Sequence, residues 1–287
     1  MSLATSAEDG PERSTRGTFH YVDPDRITGP GFRFNFDPQW SGIPLRDRRV
    51  PVADACTLSE PPRLDREGFE LGRLGIGEID HRDPGQVEAL WRPAVCRLVQ
   101  QITGADEVAS WATGARFSER NAAAARTDVS NPARRVHSDF SPTEFGAAIL
   151  HPPALEAIER IAPGRPLRRW MGINVWQAIS PPPYDTPLAV CDTRTVRPED
   201  LVVGRGSAPS VPGLEVDLPL YQFSDRHRWF YYSHMEPDQA LVFSGIDSAA
   251  VDDWRLVPHS AFDDPACPSG ATPRSSVEIR TMALFFA

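Results

Sequence analysis

The stretch Ile173-Asn-Val-Trp-Gln-Ala-Ile179 is a short apolar run with β-branched and aromatic side chains, closed off by Pro181-Pro182-Pro183. Such a run reads as a strand. Outward from it the pattern repeats: PLAVC at 187–191, LPLYQF at 218–223, RWFYYS at 228–233, QALVFSGI at 239–246, WRLV at 254–257 and VEIRTMALFF at 277–286. Clusters of Pro, Gly and Asp separate these runs at short intervals, which predicts an all-β sandwich or barrel. Long helices do not alternate with the strands, and this argues against a doubly wound parallel sheet. The expected fold is mainly β with helices: a jelly-roll core over 131–287, carried by a helical and irregular supporting part over 18–130. No linker or internal repeat divides 18–287, so a single domain is expected.

The supporting part opens with short apolar stretches cut by Pro and Gly, among them FRFNF, VPVADA and LDREGFEL. One segment differs. Asp83-Pro84-Gly85-Gln86 has the form of a helix start, with Asp as N-cap and Pro at the first helical position. Val87, Leu90, Trp91, Val95, Leu98, Val99 and Ile102 come next at helical spacing, and Gly104 ends the run. Pro93 is expected to kink or split this helix. A shorter helix is expected over Pro153–Ile161, with Gly164 after its end.

All 30 basic residues are arginine, which excludes Schiff-base, pyridoxal-phosphate and P-loop chemistry, each of which needs a lysine amine. A formal charge of −9 disfavours nucleic acid as a partner, because phosphate contacts need a basic face. Cys56, Cys96, Cys191 and Cys267 lie far apart with no Cys-x-x-Cys, as expected of thiols in a reducing compartment. Residues 1–17 are polar and read as a disordered tail, without the apolar core of a signal peptide. No apolar run approaches the roughly 18 residues of a membrane span. These readings place the chain in the cytoplasm, with no membrane partner. The oligomeric state leaves no mark in the sequence.

Two residues spaced i, i+2 on a strand project from one face, so His137-Ser138-Asp139 offers an imidazole and a carboxylate to one metal ion. His81-Arg82-Asp83 has the same form, but Asp83 is accounted for as a helix cap. A later His would complete the 2-His-1-carboxylate set that leaves positions open on non-haem Fe(II). His259 is the candidate; His234 is its rival, but no Arg-x-Ser lies at a suitable distance after it. About 15 residues beyond His259 stands Arg274-Ser275-Ser276, in which Arg and Ser share a strand face and suit a carboxylate. Arg274, Ser276, Glu278 and Arg280 should line one side of this strand and Val277 and Ile279 the other. His-x-Asp, distal His, then Arg-x-Ser is the order of a double-stranded β-helix (cupin-like) oxygenase using iron and 2-oxoglutarate. His20, His151 and His227 have no evident partner, and the adjacent pairs Asp252-Asp253 and Asp263-Asp264 face opposite ways or face water.

The chain resembles the gibberellin-desaturase-like AsaB/CmcJ/NvfI group of hydroxylases and desaturases of secondary metabolism. The resemblance is carried by LDREGFEL, ITGADEV, RRVHSDFS, NVWQAI, PLAVCDTRTV, RWFYYSHMEPDQALVFSGIDS, VPHSAFDDP and RSSVEIR. It implies His137, Asp139 and His259 as iron ligands, Arg274 as anchor of the co-substrate carboxylate with Ser276 beside it, and Fe(II), 2-oxoglutarate and O2 as cofactor and co-substrates; Arg280, on the same strand face, is the alternative anchor. Two departures stand out: Gln177-Ala178-Ile179 where the group has Arg-Pro-Leu after Asn-Val-Trp, and Ser275 where it has Glu. Trp176, Trp229, Tyr231 and Tyr232 are candidate walls for a small-molecule substrate. Hydroxylation is the simplest outcome; desaturation, cyclisation and endoperoxidation share the same centre. The alternatives are a jelly roll that only binds a small molecule or partner, and a zinc hydrolase on the same ligands.

Overall fold

The computed structural model describes residues 12–27, 29, 32–35, 42–117, 132–141, 152–207, 215–250 and 256–287, with the side chains of 111–117 and 152–154 excepted. The strands among them are, in chain order, β1 (Ser14–Val22), β2 (Phe32–Asn35), β3 (Leu45–Asp54), β4 (Phe69–Arg73), β5 (Glu107–Phe117), β6 (Leu167–Ala178), β7 (Leu188–Cys191), β8 (Leu201–Ser207), β9 (Glu215–Tyr221), β10 (Trp229–Tyr231), β11 (Gln239–Asp247), β12 (His259–Ala261) and β13 (Ser275–Phe286). They form one sheet in the order β1-β3-β10-β7-β12, a second in the order β4-β11-β6-β13-β5, and a small third of β2-β8-β9. The fold is mainly β, as expected. WRLV lies partly outside the described residues.

β6 and β13, at the centre of the second sheet, pair antiparallel from Ser276 opposite Ala178 to Leu284 opposite Trp170. Side chains alternate across them. Ile173, Val175, Val277 and Ile279 take one face, where they bury against Trp91, Ala94, Val95, Leu98 and Val99 of the helical segment. Five such side chains contribute roughly 1.5–3 kcal/mol each, enough to fix the helix on the sheet. Trp91 donates its indole N–H to Gln177 Oε1 at 2.8 Å, which satisfies the polar group on that face.

The helical segment begins as the sequence predicts. Asp83 caps a first turn, α1 (Pro84–Gln86), by accepting from Gly85 N. As expected, the helical run is divided just ahead of Pro93. A π-helical turn at Val87–Trp91 shifts the register, so that Arg92 N–H donates to Val87 O, and α2 (Arg92–Thr103) runs on with Pro93 in its first turn. There the missing N–H of proline is cheap, because first-turn donors lack helical partners. Gly104 ends α2 in the left-handed region at φ 69°. The second expected helix is α3 (Pro152–Ile161).

The other faces of the two large sheets meet each other. Phe69, Trp176, Leu241 and Phe243 of the second sheet pack with Val190 of the first and with Val257, Tyr184, Tyr232 and Met235 from connecting segments. The opposite side of the first sheet carries its own apolar cluster of Phe19, Tyr21, Val52, Cys191, Trp229, Tyr231 and Phe262.

The structure moves two boundaries expected from the sequence. Ser14–Gly17 read as tail, yet they form the start of β1, paired with Val50–Ala53 of β3. Their alternating polar pattern hides a strand that sheet pairing stabilises; residues 1–11 lie outside the described residues. Nor is 18–130 only a support: it supplies β1 and β3 to the first sheet and β4 and β5 to the second. Among the described residues no helix is long and apolar enough to cross a membrane.

Candidate metal centre

His137 lies in a short extended segment between β9 and β12, bridging Leu220 on one side and His259 on the other. His137 N–H donates to His259 O at 3.2 Å and His259 N–H returns a bond to His137 O at 2.9 Å. A residue pair that exchanges both bonds presents its side chains on one face. The two imidazoles accordingly lie with ring centroids 4.3 Å apart. Asp139, two residues on, turns its carboxylate toward them: Oδ1 is 3.9 Å from His137 Nε2 and Oδ2 is 3.6 Å from His259 Nε2. One ligand atom from each of the three lies within 4.8 Å of the others.

The protonation states suit a cation. His137 Nδ1 donates to Arg135 O at 2.9 Å and His259 Nδ1 donates to Val257 O at 3.1 Å. A carbonyl only accepts, so each Nδ1 carries hydrogen and Nε2 is the nitrogen each ring presents as a ligand. Burial, with the neighbouring His259 and Arg135, lowers His137 well below the usual histidine range and keeps it neutral. Burial pushes the Asp139 carboxyl up, but Arg280 and the two imidazoles outweigh it and hold the group well below the usual carboxylate range.

Packing also places Asp139. Phe140, 1 % exposed, sits over Gly172 of β6 and Gly245 of β11, where a Cβ would come within 2.9 Å and 2.0 Å of the ring. Only glycine leaves that space.

On the second sheet, Asn174 and Arg280 are directly opposite each other, as are Trp176 and Glu278. Asn174 Nδ2 donates to Asp139 Oδ2 at 2.6 Å and Arg280 Nη2 to Asp139 Oδ1 at 2.8 Å. Trp176 stands two residues along β6 from Asn174, about 7 Å away. Over its ring, 5.5 Å from the centroid, lies the guanidinium of Arg274. Arg274 is 2 % exposed and Ser276 is fully buried. The Ser276 hydroxyl oxygen is buried without a hydrogen-bond partner. A buried, unsatisfied hydroxyl two residues from a buried cation suits a small carboxylate, since an unmet buried polar atom is costly.

The remaining expectations divide. Of the candidate pocket walls, Trp176 faces the centre, and Tyr232 belongs to the cluster between the sheets. Trp229 and Tyr231 do not face it. Strand register puts Phe230, Val190 and His259 on one face of the first sheet, and Trp229 and Tyr231 on the other. There Trp229 donates to Tyr21 Oη, and Tyr21 pairs with His227, which contacts Asp200. The apolar composition of RWFYYS conceals which parity points inward, because both faces of that sheet are buried. His234 is surface-exposed and pairs with Glu236, remote in role from the triad. His20 pairs with Asp47, and Asp263 and Asp264 pair with Arg134 and Thr15. His151, Asp252 and Asp253 lie outside the described residues. A cavity of about 480 Å³ lies beyond the Ala178 end of β6, between His81, Ile179, Pro182 and Met235, and holds none of the triad.

Two imidazoles and one carboxylate converge between two sheets, the donor set that non-haem iron oxygenases use, with a buried Arg–Ser pair nearby. Sequence comparison agrees. A family profile described as an oxidoreductase/YMDC permease-like domain matches residues 19–284. The Fe(II)/2-oxoglutarate-dependent dioxygenase NvfI of Aspergillus novofumigatus is 30% identical over 232 residues, 77% of this chain and 80% of that protein. The hydroxylase/desaturase PoxK of Penicillium oxalicum is 26% identical over 284 residues, 87% of this chain and 84% of that one. In three dimensions, a tryptophan-to-phenylalanine variant of the iron and alpha-ketoglutarate-dependent endoperoxidase NvfI superposes with TM-score 0.78 over 97% of this chain and 99% of its own, at 24% identity. The chain belongs to the NvfI/AsaB family of Fe(II)/2-oxoglutarate-dependent oxygenases.

Proposed function

We propose that His137, Asp139 and His259 hold Fe(II), that Arg274 and Ser276 hold the distal carboxylate of 2-oxoglutarate, and that the enzyme hydroxylates a small secondary-metabolite-like molecule. The observation that carries this reading is the convergence of two imidazoles and an ionised carboxylate, with one ligand atom from each within 4.8 Å of the others. The hydroxylase/desaturase names of PoxK and AsaB support the reaction class. The two facing sheets support a double-stranded β-helix built as one domain through residue 287.

The iron, with 2-oxoglutarate and O2, supplies the oxidising power that takes hydrogen from the substrate, at the expense of the co-substrate, which leaves as succinate and CO2. The protein's part is binding and orientation. Arg135 O and Val257 O fix the ring tautomers, so no proton has to leave Nε2 when a metal arrives. Arg274, held over Trp176 in a dry pocket, offers its charge where water does not compete. Aromatic and aliphatic side chains between the sheets exclude water.

The test is anaerobic addition of Fe(II) and then 2-oxoglutarate to metal-free protein, with the visible charge-transfer band of the chelate as readout. The band should form in the wild type and be lost in His137→Ala. Arg274→Ala should weaken 2-oxoglutarate binding by about 1.5–3 kcal/mol, on the order of 10- to 150-fold. Iron binding without a band refutes the co-substrate assignment; no iron binding refutes the metal assignment.

A further inference from the structure

The triad is divided between the two sheets. His137 and His259 are held by each other's backbone on the side of β12, whereas the Asp139 carboxylate reaches across to β6 and β13. Asp139 itself belongs to no strand. Its orientation therefore depends on two donors from opposite positions of one strand pair, a rigid platform that engages one carboxylate oxygen each. Asn174 is a neutral donor, and Arg280 is a cation.

We propose that Arg280 is a positioning residue that sets the balance between metal affinity and co-substrate affinity, with Asn174 the neutral half of the same clamp; this rests on the iron and 2-oxoglutarate reading above. The physical reason is charge. Arg280 cancels the Asp139 charge at 2.8 Å, so the pair offers a dication almost no net attraction. The same guanidinium attracts a dianion. Without that cation the Asp139 charge would act on a metal undiminished, and a dianionic chelator would lose one attraction. Glu278 stands two residues before Arg280 on the same face of β13 and attracts its guanidinium, and Arg274 lies just ahead of the strand; neither is altered when wild type is compared with an Arg280 variant.

The experiment uses the full chain and Mn(II), with free Mn(II) read by electron paramagnetic resonance and 2-oxoglutarate binding to the Mn(II)-loaded protein read by calorimetry, at mildly alkaline pH. Arg280→Met should bind Mn(II) at least as tightly as the wild type and bind 2-oxoglutarate on the order of tenfold more weakly. Arg280→Lys should restore both values toward wild type, since it returns the charge and not the shape. Asn174→Ala should weaken Mn(II) binding without that opposite pair of effects. Thermal melting of each metal-free variant establishes that it is folded. Weaker binding of both ligands in Arg280→Met, or no change in either, overturns the proposed balance. Failure of the wild type itself to bind Mn(II) overturns the oxygenase reading and this inference with it.

Discussion

Replacing Gly245 with alanine tests whether the Asp139 carboxylate is placed by packing as well as by hydrogen bonds. The new Cβ would stand 2.0 and 2.1 Å from Cδ2 and Cε2 of Phe140, and 3.0 Å from the carbonyl of Gly172. Carbon atoms rest at about 3.5–4.0 Å, so the ring must retreat by about 1.5 Å. Phe140 is 1 % exposed, wedged with Ile246 and Leu256, and has little room to do so. Overpacking of this kind costs about 1–3 kcal/mol, which for a chain of this size lowers Tm by about 2–12 °C. Asp139 is bonded directly to Phe140 in the chain, and ligand sets tolerate errors of only about 0.2 Å, so Mn(II) affinity should fall on the order of 10- to 100-fold. The assay is a double-mutant cycle with Phe140→Leu, read by thermal melting and by Mn(II) titration. Shortening the ring should remove most of the Gly245→Ala penalty in both readouts, giving a coupling of about 0.5–3 kcal/mol. Strict additivity, or wild-type Mn(II) affinity in Gly245→Ala, would falsify the packing argument.

Other sites give independent checks. Gln177→Leu strands the Trp91 indole N–H and the Pro237 carbonyl that Gln177 now satisfies, and should cost about 1–3 kcal/mol in urea unfolding while leaving Mn(II) affinity unchanged. Burial pushes the Asp192 carboxyl up, but Arg194 and Arg228 override it and hold the group low. A depressed carboxylate stabilises the fold fully above its unfolded value of about 4, and that stabilisation is lost as pH falls through the lower folded value. The Tm advantage of wild type over Asp192→Asn should therefore be full at neutral pH and shrink below about pH 4. Burial raises the Cys191 thiol to about 12. It should resist a thiol reagent at neutral pH in the native protein and react only after denaturation, as counted by thiol titration with and without urea.

The order His-x-Asp, His, Arg-x-Ser is legible because strand alternation makes an i, i+2 pair a face-sharing pair before any fold is known. The same rule predicts Val277 and Ile279 on one side of β13 and Ser276 and Arg280 on the other, and the structure has them there. It fails at β10. A run such as Trp229-Phe-Tyr-Tyr232 is apolar at every position, so alternation carries no information about which parity faces the site. The contacts of Asn174 and Arg280 with Asp139 are not legible either, although the sequence offers Arg280 as an alternative anchor and Asn174 shares its parity with Trp176 in the quoted strand.

Local sequence determined what local physics controls: the cap at Asp83, the left-handed stop at Gly104, the β character of the runs between Pro and Gly clusters, and the chemistry available to a chain whose only strong cations are arginines. Tertiary structure decided the rest. Only strand pairing brought His137 to His259, a contact between residues more than a hundred positions apart in the chain. Only the meeting of two sheets gave Asp139 its partners across the interior. Only packing showed why Gly172 and Gly245 must be glycine. Sequence periodicity specifies which way a side chain points from its own strand; what it then meets depends on which strands lie opposite, and that is settled by the burial of the whole chain.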